Sequence, residues 1–140
     1  MGMVSRMGVI CTRKLRIGGS SVEQVNEVVV FPTTCIFTPM VEDMVTWCCN
    51  YFELSEIAIE VYLRDSYEDC WGDSEQVSRD SYSITVCTDQ SLRDFVATLC
   101  HEMIHVNQWV TGKWDGDGEE ECEKRQYELA NMYWDSQKTA

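Results

Sequence analysis

Histidine is nearly absent from this chain, with two residues in 140, His101 and His105. Any site that needs three imidazoles is excluded, and any site that needs two must use this pair. Proline is as scarce, with Pro32 and Pro39 alone, so a proline-rich spacer is excluded. No apolar run reaches the roughly 18 residues of a membrane-spanning helix. Basic residues are outnumbered 11 to 24 by acidic ones, for a formal charge of −13. That balance argues against a nucleic-acid partner held through its phosphates. The eight cysteines include no C-x-x-C pair, so a zinc ribbon is not expected. Internal repeats and low-complexity segments are also missing.

What is present suits one domain of 140 residues with a real core, since 44% of the chain is hydrophobic and it has five tryptophans. Arg6, Arg13, Lys14 and Arg16 crowd the first twenty residues, but no continuous apolar stretch follows. A secretory signal is therefore not expected. The expectation is a cytoplasmic protein with no membrane partner, its cysteines reduced and mostly small core residues. Charge is uneven. No acid precedes Glu23, whereas Asp115, Asp117, Glu119, Glu120, Glu121 and Glu123 share one short stretch. A solvated acidic surface is the plain reading. A metal-free binder of basic proteins is an alternative that rests on net charge alone.

Periodicity places the elements. Residues 3–17 read as a strand or extended arm, and residues 25–31 as a strand stopped by Pro32. Pro39 opens a helix whose stripe is Val41, Met44, Val45, Cys48 and Phe52. Residues 56–64 alternate as a strand. Residues 65–80 have loop chemistry, with Trp71 expected over the active-site side. Ser81–Cys87 reads as a strand with one semi-polar face, a pattern of sheet edges. Ser91 is an N-cap with Asp94 three residues on. The helix from Leu92 ends near Gly112, residues 113–118 form a loop, and residues 119–136 a last helix.

The long helix carries His101-Glu102-Met103-Ile104-His105, an H-E-x-x-H. Residues i and i+4 of a helix lie on one face, so both imidazoles can reach one metal ion, with Glu102 beside them to move a proton. The chemistry this names is zinc-activated water attacking a peptide bond. A catalytic zinc takes three protein ligands and leaves a position for water, so a third ligand is required. The last helix offers it. Its inward stripe is Cys122, Gln126, Leu129, Ala130 and Tyr133, and Glu119 shares that side. Glu119 is the expected third ligand and Glu123 the fallback, with Asp115 and Asp117 behind them. Glu123 could instead orient a histidine, and Tyr127 or Tyr133 could steady the oxyanion. Glu121 falls on a more solvated face. The strand before the metal helix is the expected peptide-binding edge, through Ser83, Ile84, Thr85 and Val86.

With H-E-M-I-H on a helix, a strand before it and glutamates after it, the chain resembles the gluzincin-type zinc metallopeptidases. Its nearest likeness is to the compact minigluzincin and SprT-like forms, including small phage-type peptidases. The E-x-x-x-D and E-x-E-A patterns of that group correspond to Glu119-Glu120-Glu121-Cys122-Glu123, with Glu123 for aspartate and Cys122 for alanine. SprT proteins proper carry a third histidine, which this chain lacks.

The resemblance implies an α+β fold, the minimal zincin-like core. Its parts are a backing helix, a short, mostly antiparallel sheet, an active-site helix and a C-terminal glutamate helix. It covers residues 39–136 of a single domain 1–140, with residues 1–38 as N-terminal strands or an arm. It implies a Zn2+-dependent endopeptidase acting on a peptide or protein. A non-catalytic, zinc-containing binding or assembly module of the same fold is the alternative. Docking of the basic N-terminal arm on the acidic region near Glu119 is a further expectation. Oligomeric state stays open.

Overall fold

The computed structural model describes the backbone of residues 8–17, 20–66 and 71–138, with side chains from residue 26 onward within those spans. In chain order its elements are β1 (Gly8–Ile17), β2 (Ser20–Phe31), α1 (Thr38–Tyr51), β3 (Ala58–Arg64), β4 (Gly72–Ser78), β5 (Ser81–Cys87), α2 (Leu92–Thr111) and α3 (Glu119–Lys138). The strands form one five-stranded sheet in the order β1-β2-β3-β5-β4. The class is α+β with a mixed sheet. The expectation of a mostly antiparallel sheet is corrected: β1/β2 and β4/β5 are antiparallel, but β2/β3 and β3/β5 are parallel. Parallel neighbours need a crossover, and α1 supplies the one between β2 and β3.

Two further readings change. Residues 65–80 are not all loop, because β4 occupies Gly72–Ser78. Its sequence, GDSEQVS, is polar and mostly exposed, so burial of its own side chains does not reveal it; pairing with β5 holds it in place. As a result β5 lies inside the sheet, between β3 and β4, and β4 is the edge. Ser83, Ile84, Thr85 and Val86 are already paired on both sides, so no peptide can add a strand there. Of the two readings of the N-terminal segment, strands or an arm, the described residues show strands. Residues 8–17 form the opposite edge strand, four places across the sheet from β4. Residues 1–7 lie outside the described residues.

The core lies between one sheet face and the helices. Alternation along β3 buries Ile59, Val61 and Leu63, and along β5 it buries Tyr82, Ile84 and Val86. Against them pack Val41, Met44, Val45 and Cys48 of α1 and Phe95, Val96, Leu99, Met103 and Ile104 of α2. Each such side chain contributes about 1.5–3 kcal/mol by leaving water. Asn26 is buried and paired, its amide donating to Leu54 O (2.8 Å) and accepting from Ile57 N (3.2 Å). Cys48, Cys49, Cys87, Cys100 and Cys122 are buried core residues. Among the described residues no helix is long and apolar enough to cross a membrane.

α2 is positioned at both ends. Ser91 caps it by accepting from Asp94 N (3.1 Å), and Gly112, at φ 70°, closes it in the left-handed conformation glycine favours. The apolar face is held by the core, so the opposite register of the helix points out over the β4 side.

Candidate metal centre

His101 and His105 are one turn apart on α2 and mostly buried, with rings 5.1 Å apart. Glu119, the first residue of α3, is brought to both. Its Oε2 lies 3.0 Å from His101 Nε2 and its Oε1 2.7 Å from His105 Nε2. The placement follows from the inward stripe of α3, where Cys122, Leu129, Ala130 and Tyr133 are buried. Asp117 helps by accepting from Glu119 N (3.0 Å) at the helix start. Glu123 is exposed and outside the cleft lining, so the fold does not bring it to the histidines. Nor does Glu123 orient a ring nitrogen; glutamines do that.

Gln126 Oε1 stands 2.6 Å from His101 Nδ1, and Gln108 Oε1 stands 2.9 Å from His105 Nδ1. The orientation of Gln108 is settled by its other end, where Nε2 donates to Gly118 O (3.0 Å) and Glu121 Oε1 (2.9 Å). Both partners only accept, so the carbonyl must face the histidine, and His105 Nδ1 must carry a proton. Glu121, placed on the solvated face by sequence periodicity, is in fact half-buried in this contact.

The consequence decides whether a cation fits. With Nδ1 protonated, Nε2 of a neutral imidazole presents a lone pair, here directed at a carboxylate oxygen. Two acceptors in contact repel. A second proton on His105, or one cation shared by all three groups, turns the contact attractive, and a divalent ion does so at once for all of them. The donor set of two imidazoles and one carboxylate suits zinc. Cys122 also places its sulfur within 4.8 Å of both histidines, and His101, His105 and Cys122 form a group able to hold a metal ion. The Cys122 thiol is pushed up to about 12, chiefly by burial and then by the charge of Glu119, which keeps the free thiol protonated.

Glu102 is 5% exposed and accepts from Ser74 Oγ at 2.6 Å. Burial raises its pKa above the ordinary glutamate value, while the Ser74 hydrogen bond and the two histidines oppose the shift. Ser74 lies on β4, and the α-carbon of Gly72 approaches so closely that a β-carbon there would stand 3.2 Å from Glu102 Oε2. These residues line a cleft of about 500 Å³ together with Asp73, Trp109, Trp114 and Asp117, and among the described residues no lysine or arginine lines it. Trp71 does not line it and is mostly exposed. Tyr127 and Tyr133 are also elsewhere. Their hydroxyls donate to Asp94 (2.6 Å) and Asp43 (2.8 Å), and neither lines the cleft.

Ser74 and Gly72 escape sequence reading because they sit in a polar strand. Gln108 and Gln126 leave a trace: both fall on the helix faces that carry His105 and the α3 stripe. No protein-family model, curated protein or solved structure matches the chain.

Proposed function

We propose that the chain is a zinc-dependent metallopeptidase, with His101, His105 and Glu119 as the metal-holding residues and Glu102 as the proton carrier. The observation that carries this reading is the convergence of both Nε2 atoms on the two oxygens of Glu119, with a buried Glu102 alongside. The resemblance to gluzincins supports the same assignment. Bound there, zinc supplies a Lewis acid and lowers the pKa of water from about 15.7 to about 7. Glu102 takes the proton released as water attacks the peptide carbonyl and hands it to the departing amine nitrogen. Its raised pKa suits both halves of that transfer. Ser74 holds one of its oxygens and leaves the other for the reaction.

The substrate backbone would add to the sheet at β4, the edge beside the cleft, and not at β5. Trp109 and Trp114 form apolar walls, and the acidic lining favours peptides with a cationic side chain near the cleaved bond.

The test is metal content together with digestion of a mixed peptide library read by mass spectrometry. About one zinc per chain and discrete cleavage sites are expected. Glu102→Gln should keep the metal and cut the rate by about 10²–10⁴. A folded wild-type chain that takes up no zinc would falsify the assignment.

A second reading, a non-catalytic zinc-containing module, draws on Cys122, because a thiolate added to the set would close the coordination sphere. Cobalt substitution separates the two. A sulfur-to-cobalt charge-transfer band that disappears in Cys122→Ser supports the closed site, and its absence supports the peptidase.

A further inference from the structure

We propose that Gln108 is a positioning residue that selects which nitrogen of His105 faces the metal position and, through the same amide, ties that histidine to the loop presenting Glu119. The second half of this inference rests on the metal reading above; the first half does not.

Gln108 is 3% exposed and lies three residues after His105, so both side chains share one face of α2. Its carbonyl accepts from His105 Nδ1, and its amide nitrogen donates to Gly118 O and to Glu121 Oε1. Gly118 directly precedes Glu119. A β-carbon at Gly118 would stand 2.3 Å from Gln108 Oε1, and its φ of +81° is one that side chains rarely adopt. Only glycine there lets the amide reach the loop. Glu121 is held on its far side by Arg125 Nη1 at 3.2 Å. One glutamine therefore joins a residue of α2, the backbone just before Glu119 and the first turn of α3.

The amide is what this junction needs. A glutamate could accept from His105 Nδ1 but would face the Glu121 carboxylate and leave Gly118 O with only the longer bond from Cys122 N (3.4 Å). A leucine could do neither. Without an acceptor at Nδ1, His105 is free to carry its proton on Nε2, which removes the lone pair a metal needs.

The experiment uses full-length protein labelled with ¹⁵N in its histidines, at a pH of about 8. Ring nitrogen shifts report the tautomer directly, and zinc affinity is measured against a competing chelator. Wild type should show His105 protonated at Nδ1 without metal. Gln108→Leu should lose that signature and bind zinc about 10- to 100-fold more weakly, whereas disturbed packing alone would lower the melting temperature and leave the tautomer in place. Gln108→Glu should keep the tautomer but weaken zinc binding, and adding Glu121→Gln should restore part of it. If Gln108→Leu fails to fold, the Gln108→Glu pair decides.

A Nδ1–H signal that persists in folded Gln108→Leu overturns the first half. Unchanged zinc affinity in that variant, or no recovery in the double variant, overturns the second. A wild type that binds no zinc ends the metal reading and the second half with it, while the tautomer in metal-free protein still decides the first.

Discussion

At the residue scale, the site is a problem of lone pairs. Gln108 and Gln126 place their carbonyl oxygens at the Nδ1 positions of the two histidines, so both Nε2 atoms are turned toward the Glu119 carboxylate. That arrangement separates Glu119 from its neighbour Glu123, four residues on and exposed. Glu119→Ala should lower zinc affinity by more than the roughly 100-fold expected for losing an outer partner. Glu123→Ala should leave it unchanged. Chelator competition on the two variants checks this, and equal losses would sink the assignment of Glu119. The histidines, Glu102 and the candidacy of Glu119 were legible from spacing alone, because i to i+4 geometry on a helix is local. The glutamine partners were not, since what they touch depends on how α2 and α3 cross.

At the element scale, β4 matters most. It contributes few buried side chains, yet it brings Gly72 against α2 and Ser74 onto Glu102. A β-carbon at Gly72 would stand 2.5 Å from Thr98 Cγ2 and 3.3 Å from Thr85 O. Gly72→Ala should therefore cost about 1–3 kcal/mol of stability, as overpacking does. It should also reduce cleavage while zinc stays bound, since Glu102 lies on the same contact. Thr98→Ser in that background should recover stability by making room. Thermal melts of the single and double variants read the first effect, and metal content with peptide turnover reads the second. No change in stability for Gly72→Ala would mean that β4 sits further from α2 than described. The helices were legible because each has a marked apolar stripe and, for α2, a serine cap and a glycine stop. β4 was not, because an exposed edge strand has no apolar alternation to show.

At the scale of the whole molecule, the core and the site are separate. The sheet, α1, the buried face of α2 and the inward stripe of α3 form the hydrophobic core, to which Cys122 belongs, while Glu102 and Gln108 are buried polar residues beside it. Chelation should leave the far-ultraviolet circular dichroism spectrum intact and lower the melting temperature, because a ligand present at 100 times its dissociation constant adds only about 2.7 kcal/mol. Collapse of the spectrum on chelation would show that the metal builds the fold. The net charge of −13 and the acidic cleft lining of Asp73, Glu102, Asp117 and Glu119 should steer cationic peptides, so kcat/KM for a lysine-rich substrate should fall with rising salt and that for a neutral one should not. Local pattern was enough to determine the helices, four of the five strands in whole or part, and the pair of imidazoles on one helix face, because those depend on periods of 3.6 and 2 along one segment. Strand order was decided only in three dimensions. The insertion of β5 between β3 and β4 moves the open edge to a polar strand, and the crossing of α2 with α3 sets Gln108 and Glu119 at the histidines. Both depend on pairing between distant segments, which no single stretch of chain encodes.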